Sequence, residues 1–395
     1  MASSASVPAA TIPSGERALP AAASVSWPIW CAVAACVSAV FGVEWDISWH
    51  QSIGRDTLWS PPHMAIYLSG VLAGVASGYL ILSTTLGADP RARQVSVAMW
   101  GFRGPLGAFL CAWGCFAMLA SAPFDDWWHN AYGLDVKIMS PPHVILGVGV
   151  LAVRLGALLL ILGRMNRAEG PLRRKLQWVF LAVGAQFIIG LLILLTEQLL
   201  RVYMHSARFY LLLSIPVPLI LAAIWRACPA RWTATIVTGI YTGFVLGLVW
   251  ILPLFPAEPK LGPVYQKVTH FIPPEFPLLL IAPGLALDWL RARIGRWKPW
   301  AHAFLAGLVF LATLLAAQWP WASFLQSAGA RNWFFGAHYF GYFVEPSSPY
   351  VRYQFVPLEP GWPDFWLRLA IALGGAILST RAGLAVGGWM GRVRR

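Results

Sequence analysis

The chain has 395 residues, of which 58% are hydrophobic and 11% are charged, and its formal net charge at pH 7 is +13. Soluble domains average about 45–50% apolar and about 25% charged residues, so this composition excludes an ordinary soluble domain. It indicates a polytopic membrane protein.

The first 25 residues are small, polar and proline-containing, and we expect them to form a disordered tail. A cleaved signal peptide is disfavoured, because no basic region precedes the first long apolar run. Each apolar window that follows approximates the ~20 residues that a helix needs to cross a bilayer. The windows lie near 27–48, 62–86, 100–124, 142–163, 177–200, 208–226, 232–255, 276–290, 302–321 and 365–391. The sequence therefore predicts an all-α protein with about ten transmembrane helices, the eighth being short.

Basic residues cluster in alternate loops. If the N-terminus is cytoplasmic, every cytoplasmic segment is basic, as the positive-inside rule expects. The basic clusters are Arg91 and Arg93; Arg164, Arg167, Arg173, Arg174 and Lys175; Arg226 and Arg231; Arg291, Arg293, Arg296 and Lys298; and Arg392, Arg394 and Arg395. The distribution of basic residues thus predicts a topology with both termini in the cytoplasm. We therefore expect the lipid bilayer as a partner, and we do not expect nucleic-acid binding.

Two of the predicted outer loops repeat one polar pattern. Residues 45–63 read WDISWHQSIGRDTLWSPPH, and residues 125–143 read DDWWHNAYGLDVKIMSPPH. Asp, His, Asp and Ser-Pro-Pro-His match in order, with one residue inserted in the second copy. Residues 26–164 are therefore interpreted as a tandem duplication of a helical hairpin, with repeats at about 27–86 and 100–163.

Each repeat offers three metal ligands. The first Asp and His are four residues apart, on one helix face. Ser-Pro-Pro favours a new helix start, and its dipole favours a neutral imidazole in the first turn. A hairpin would bring the three together, and two imidazoles with a carboxylate suit copper, zinc or non-haem iron. The predicted ligands are Asp46, His50 and His63, and Asp125, His129 and His143. Interfacial polar residues, or a haem at His129 and His143, are alternatives.

Residues 46–63 resemble the metal-site segment of the C subunit of the copper membrane monooxygenases, the particulate methane and ammonia monooxygenase family. The likeness consists of Asp46, His50, the triplet Arg55-Asp56-Thr57, and Pro61-Pro62 before His63. It implies copper bound by the Asp and the two His near the outer membrane face. The family adds an adjacent site with an Asn where this chain has Asp125. Its enzymes also work with separate A and B subunits.

These features predict a copper-dependent, monooxygenase-like membrane oxidoreductase that acts on a small or lipophilic substrate. Arg55 and Asp56 would orient the ligands, and nearby tryptophans would line the site. Glu197 would be a ligand, a supporting group or a proton relay.

One alternative is a copper- or zinc-binding or transport protein without catalysis. The other is a zinc-dependent membrane hydrolase with Glu197 or Glu275 as general base. Partner subunits or a homo-oligomer are compatible with each function. In a Gram-negative host the protein would lie in the inner membrane, with both motifs on the periplasmic side.

The remaining regions carry less specific expectations. Residues 165–321 hold further transmembrane helices, 322–364 form an aromatic outer segment that is a lid or an interfacial belt, and 365–395 hold the last helix and a basic C-terminus. Pro273-Pro274-Glu275 is either a degenerate third copy of the motif, with Glu in place of His, or a proline-rich helix start. Cys111 and Cys115, one turn apart, are interpreted as packed thiols rather than a metal or redox pair. Arg154, inside the fourth helix, pairs with an acid or snorkels. The roles of His205, His270 and His338 are left open.

Overall fold

The computed structural model describes residues 24–54, 57–133, 139–260, 267–294, 298–336 and 354–394. Helices account for nearly all of the regular structure in these ranges. The helices are α1 (Trp27–Ser52), α2 (Pro61–Leu86), α3 (Pro90–Gln94), α4 (Leu106–Tyr132), α5 (Pro141–Met165), α6 (Gly170–Leu194), α7 (Ala207–Ser214), α8 (Pro216–Ala227), α9 (Thr233–Ile251), α10 (Ile281–Arg293), α11 (Pro299–Leu325) and α12 (Trp362–Met390). One small antiparallel hairpin joins β1 (Val97–Met99) to β2 (Phe102–Gly104).

Within the described residues, nine helical segments are long and apolar enough to cross a membrane. They are α1, α2, α4, α5, α6, the α7–α8 pair, α9 with its short 3-10 extension, α11 and α12. The α7–α8 pair is interrupted at Pro216, which has no N–H to continue the helical hydrogen bonds. An all-α polytopic membrane protein, predicted from composition, is thereby confirmed.

The predicted eighth span takes a different form from a single long helix. Residues 271–279 are extended, and only Ile281–Arg293 is helical. The extended backbone is supported by side chains, since the Leu278 N–H donates to the Tyr241 hydroxyl at 2.9 Å and the Leu279 N–H donates to Gln318 Oε1 at 2.8 Å. Non-helical backbone at membrane depth needs such partners because lipid offers none.

The two sequence repeats form one four-helix arrangement. Helix α1 packs along α2 and α4 along α5, while α2 also packs against α4 and α1 against α5. The contacts of the first hairpin thus recur in the second, as an approximate two-fold relation requires. The ends of this bundle at Ser52, Pro61, Tyr132 and Pro141 carry both motifs and are called the triad end.

Large apolar side chains cover much of the outer surface. On α2 a stripe at three- and four-residue spacing is about half exposed: Leu68, Val71, Val75, Tyr79 and Leu82. A continuous apolar stripe of this kind is unfavourable in water and favourable against acyl chains. Together with the spans, it places the protein in a lipid bilayer as a multi-pass membrane protein.

Candidate metal centre

The first triad consists of Asp46 and His50 on α1 and His63 on α2. Asp46 Oδ1 lies 3.3 Å from His63 Nε2, and Asp46 Oδ2 lies 3.8 Å from His50 Nε2. All three side chains are largely buried. The turn between α1 and α2 therefore brings the second His back to the carboxylate, as the sequence predicts.

The second triad repeats this geometry with Asp125 and His129 on α4 and His143 on α5. Asp125 Oδ1 lies 3.5 Å from His143 Nε2, and Asp125 Oδ2 lies 3.5 Å from His129 Nε2. In both triads, then, one carboxylate oxygen faces the His of its own helix and the other faces the His of the next helix. A haem iron between His129 and His143 would have to occupy the place of the Asp125 carboxylate, which disfavours the haem alternative.

The two carboxylates share a second property. Asp46 Oδ1 and Asp125 Oδ1 are buried, and neither accepts an aligned hydrogen bond within the described ranges. Each imidazole approaches a different carboxylate oxygen, so the three donors of a triad do not surround a single point. Consistent with this, no group of three His, Cys, Asp or Glu side chains in the described part of the chain is arranged so that it could hold a metal ion.

Taken one pair at a time, the carboxylate–imidazole separations can be compared with those between two ligands of one ion. Two ligands held about 2.0–2.1 Å from one ion, at angles of roughly 110–120°, lie about 3.3–3.6 Å apart. The carboxylate–imidazole distances of 3.3, 3.5 and 3.5 Å fall in that range, and the fourth is 3.8 Å. A buried carboxylate oxygen without a hydrogen bond, with an imidazole nitrogen beside it, is compatible with a cation between them.

Glycine and serine set the path of each hairpin. Gly54 (φ 80°) and Gly133 (φ 89°) follow α1 and α4 in backbone conformations that glycine adopts without a Cβ clash. Ser60 and Ser140 then occupy the N-cap positions of α2 and α5. Ser140 Oγ accepts the His143 N–H at 3.4 Å, whereas Ser60 Oγ accepts the Thr57 N–H at 2.7 Å. Both predicted N-cap positions are confirmed. Of the two serine hydrogen bonds, only that of Ser140 caps the helix that the serine precedes.

A crossing segment clamps the first triad's helix. Ser48 Oγ donates to the Ile272 carbonyl at 2.6 Å, and the Ile272 N–H donates to Ser52 Oγ at 2.7 Å. The Trp49 ring packs on Phe271 with centroids 5.8 Å apart. These contacts hold the end of α1, which carries Asp46 and His50, against residues 271–272.

An aromatic cluster lies beside the second triad. Trp127 is 54% exposed, and it packs with Phe124, Trp128 and Tyr132 in an aromatic cluster at the end of α4. His129 Nδ1 lies 3.3 Å from the Gly133 carbonyl. In the tautomer that donates this bond, Nε2 is left as the acceptor that faces Asp125, which is how metal-binding histidines are commonly oriented.

The other predicted site residues fall into two groups. Arg55, Asp56 and His338 lie outside the described residues. Glu197 lies in a short 3-10 helix at Thr196–Gln198, beyond the end of α6.

Glu275 and His270 lie in the connection between α9 and α10. Glu275 Oε2 accepts the Arg201 N–H at 2.8 Å and Oε1 lies 4.0 Å from Arg201 Nε. Glu275 belongs to the extended segment, so the expectation that it begins a helix like His63 and His143 is wrong. His270 Nδ1 lies 2.9 Å from Thr269 Oγ1, and a backbone bridge pairs His270 with Pro256.

His205 belongs to an aromatic stack instead. Its ring lies between Trp319 and Phe355, with centroid distances of 4.1 and 3.6 Å and an interplanar angle of 8° in both cases. The Val356 N–H donates to the Val202 carbonyl at 2.9 Å. The described part of the aromatic segment that leads into α12 therefore packs on residues 202–205, in keeping with a covering role for this part of it.

Sequence reasoning missed the serines that position α1 and the Gly133 carbonyl. Ser48 and Ser52 are one turn apart on α1, a spacing that marks a polar face within an apolar helix, but nothing in the sequence indicates that their partner lies 220 residues later. The role of a backbone carbonyl depends on the turn conformation, which residue types do not specify.

No protein-family model, curated protein or solved structure matches this chain. The resemblance to the copper membrane monooxygenase C subunit is thus confined to the motif at residues 46–63 and stays a prediction. The class defined by the fold is a multi-pass, all-α membrane protein with a duplicated Asp-His-His helical hairpin.

Proposed function

We propose that the protein binds copper at both triads and uses it in a monooxygenase-like oxidation of a small or lipophilic substrate. The observation that carries the metal assignment is the repetition of one arrangement: a buried aspartate with each carboxylate oxygen facing a different histidine, at Asp46 and again at Asp125. The same atoms hold the same roles in both copies of the duplicated hairpin, which supports one shared role for the two aspartates.

The donor set favours copper among the candidate metals. Imidazole suits copper, zinc, iron and nickel, and affinity for divalent ions rises to Cu²⁺ and falls again at Zn²⁺. The resemblance of residues 46–63 to the monooxygenase segment also points to copper. Bound copper would supply the redox chemistry, for which no described side chain substitutes.

The protein's own residues would bind and orient the ion and exclude water. Asp46 and Asp125 supply one negative charge to each triad, which lowers the cost of placing a cation at membrane depth. Asp46, His50 and His63 would hold one ion and Asp125, His129 and His143 the other. Trp49, next to His50 in the chain, and Phe271 would help to exclude water from the first triad. The exposed ring of Trp127, two residues from both Asp125 and His129, would offer an apolar surface to a lipophilic substrate arriving through the bilayer interface.

The basic residues support an orientation. They concentrate in the connections opposite the triad end, such as Arg164 to Lys175 and Arg291 to Lys298. By the positive-inside rule, this distribution supports an orientation with the triad end on the outer side of the plasma membrane, the periplasmic side in a Gram-negative host.

Metal analysis tests the assignment directly. Protein purified in detergent is assayed for bound copper, zinc and iron, beside a His50→Ala, His63→Ala variant. The matched control is His302→Ala together with His270→Ala, which also removes two imidazoles. Copper with nitrogen hyperfine structure in its Cu(II) resonance, reduced by half in the first variant and not in the control, supports the proposal. Unchanged metal content in the first variant would contradict it, and zinc alone would move the function to the hydrolase.

Metal transfer without catalysis is the second candidate, and one observation favours it. Metal-ligand side chains continue from the second triad along α4 toward the middle of the membrane, at Met118, Cys115 and Cys111. Uptake of copper through the bundle would use such a line. Oxygen consumption that depends on a lipophilic substrate would separate the oxidase from this candidate.

A further inference from the structure

Arginines stack on tryptophans at the end of the bundle opposite the triad end. The guanidinium carbon of Arg293 lies 3.7 Å from the centroid of the Trp289 ring, and that of Arg291 lies 5.3 Å from the Trp225 ring. A guanidinium that lies on an aromatic face keeps the N–H groups along its edge for other partners. That edge matches two oxygens of a phosphate group. The ends of α8 and α10 therefore carry a surface that is both cationic and aromatic.

The turn between α8 and α9 belongs to the same surface. Arg291 Nη1 donates to the Ala230 carbonyl at 3.2 Å, which holds this side chain against the turn. The next residue, Arg231, is exposed and lies 5.3 Å from the ring of its neighbour Trp232. Arginines from two distant parts of the chain thus lie where α8, α9 and α10 come together.

The nearby carboxylate of Asp288 is already occupied. Asp288 is 2% exposed, and its Oδ1 accepts the Ala234 N–H at 3.3 Å. Its Oδ2 accepts the Thr235 N–H and the Thr235 hydroxyl, both at 2.8 Å. None of the three arginines forms an ion pair with an acidic side chain in the part of the chain that the structure describes. The surface therefore keeps an excess of positive charge, which favours an anionic ligand.

One face of α10 leads from the bilayer to this surface. Leu285, Trp289 and Arg293 follow one another at four-residue spacing, so they lie along one side of the helix. Leu285 is 46% exposed and Trp289 is 55% exposed, and such exposed apolar side chains favour contact with acyl chains. Arg293 ends this stripe in the last turn of the helix. An apolar stripe that ends in a cation matches the border between acyl chains and lipid phosphates.

Trp225 is buried with an unused hydrogen-bond donor. It is 8% exposed, and its indole Nε1–H has no acceptor among the described residues. Buried tryptophans usually have one, because a buried donor without an acceptor is unfavourable. The same ring lines an apolar cavity together with Leu221, Leu287 and Phe310. A donor in need of an acceptor thus lies between an apolar cavity and the Arg291 guanidinium.

We propose that this region binds one anionic glycerophospholipid from the leaflet at this end of the bundle. Its phosphate lies against the guanidinium edges of Arg291 and Arg293, and an ester oxygen accepts the Trp225 Nε1–H. Its acyl chains begin beside the apolar cavity and continue along α10. A phospholipid supplies an anion, neutral acceptor oxygens and an apolar chain in this order, whereas free phosphate supplies only the first. Basic pockets between transmembrane helices recognise lipid headgroups in this way.

Native mass spectrometry tests the proposal. Protein that is purified in a mild detergent and stripped of lipid is mixed with dioleoylphosphatidylglycerol or with the zwitterionic dioleoylphosphatidylcholine. We expect one retained phosphatidylglycerol, and about tenfold weaker binding of phosphatidylcholine. Arg291→Gln with Arg293→Gln should abolish this preference. Arg91→Gln with Arg93→Gln is the matched control, because it removes the same charge from exposed arginines at the same end of the bundle, and it should keep the preference.

A second variant tests the indole donor separately from the charge. Trp225→Phe keeps an aromatic ring beside Arg291 and removes the N–H, so phosphatidylglycerol should bind about fivefold more weakly. Trp232→Phe removes an exposed indole from the same surface and should leave binding unchanged. Equal affinities in the unsubstituted protein and Trp225→Phe would show that no lipid oxygen accepts this hydrogen bond.

Equal retention of the two lipids by the unsubstituted protein overturns the proposal. So does a preference that survives the Arg291→Gln, Arg293→Gln change or is lost equally in the control, and so does displacement of the lipid by millimolar inorganic phosphate. Gel filtration and the thermal midpoint confirm that each variant folds, and Arg293→Gln alone replaces the double variant if that one does not. None of these measurements depends on metal at the triads.

Discussion

Asp46 and Asp125 make the same pair of contacts at the same end of the bundle, although they lie seventy-nine residues apart in the chain. Each presents Oδ2 to the histidine four residues later and Oδ1 to the histidine that begins the following helix. Equivalent sites should respond equally and independently to substitution, which leads to the first prediction.

Removing His129 and His143 should halve the bound copper and leave the first triad loaded. Each triad draws its ligands from its own hairpin, so neither depends on the other for a donor. Atomic absorption on the His129→Ala, His143→Ala variant, beside the His50→Ala, His63→Ala variant and the four-fold combination, provides the measurement. Complete loss of metal from either double variant would show a shared dinuclear centre instead of two separate sites.

Gly149→Ala should destabilise the packing of α5 on α4. A methyl group at Gly149 would lie 2.8 Å from Met118 Cγ and 2.9 Å from the Gly114 carbonyl oxygen, a backbone atom that cannot move aside. Overpacking of this kind costs about 1–3 kcal/mol. Gly147→Ala is the matched control on the same helix, since nothing lies within 4 Å of its added methyl group. Equal thermal midpoints for the two variants in detergent would contradict the prediction.

Asp288→Ala should destabilise the start of α9. The Asp288 carboxylate of α10 accepts the Ala234 N–H at 3.3 Å and the Thr235 N–H at 2.8 Å, so it caps the first turn of a different helix. Loss of a cap costs about 0.5–2 kcal/mol. The variant should lower the thermal midpoint and speed proteolysis between α8 and α9. Asp364→Ala in the first turn of α12, which makes no such bond to another helix within the described residues, should change neither.

Acidification should weaken the stack around His205. Burial lowers the pKa of His205 from its ordinary value of 6.5, and the hydrogen bond to the Trp319 carbonyl opposes this only in part. The unfolded chain therefore binds more protons than the folded chain just below pH 6.5. The contribution of the neutral ring is complete above that pH and is lost as the pH falls through the lower, folded-state pKa.

Thermal midpoints measured at pH 5 and pH 7.5 check this for the protein and for His205→Phe, which keeps a ring between Trp319 and Phe355 without a titrating group. The difference between the two pH values should be larger for the unsubstituted protein. An identical pH response in both would show that His205 stays uncharged, or that its charge is accommodated without cost.

The fold class follows from the sequence because lipid offers no hydrogen-bond partners for the backbone. A chain with repeated apolar runs of about twenty residues must satisfy its backbone within each run, so helices are the only option. The eighth span was the exception, since its extended half depends on Tyr241 and Gln318, which come from other helices. No local sequence pattern indicates that side chains from other helices replace the helical hydrogen bonds there.

The candidate triads were also readable in the sequence. Four-residue spacing on a helix and a Ser-Pro-Pro restart are local rules, and a hairpin between antiparallel helices returns His63 to Asp46 and His143 to Asp125 whatever the rest of the fold does. Local geometry of this kind survives in the tertiary structure because each triad is built within one hairpin.

Only the tertiary structure decided what lies between the hairpins. The packing places the Arg154 guanidinium against Gly190 of α6 and Cys115 against Gly74 of α2, and it brings residues 271–272 across the end of α1. These relations join helices that are far apart in the chain, and they depend on which helix faces meet. Apolar sequences encode that choice weakly, because in lipid any apolar face can be buried against any other at similar cost.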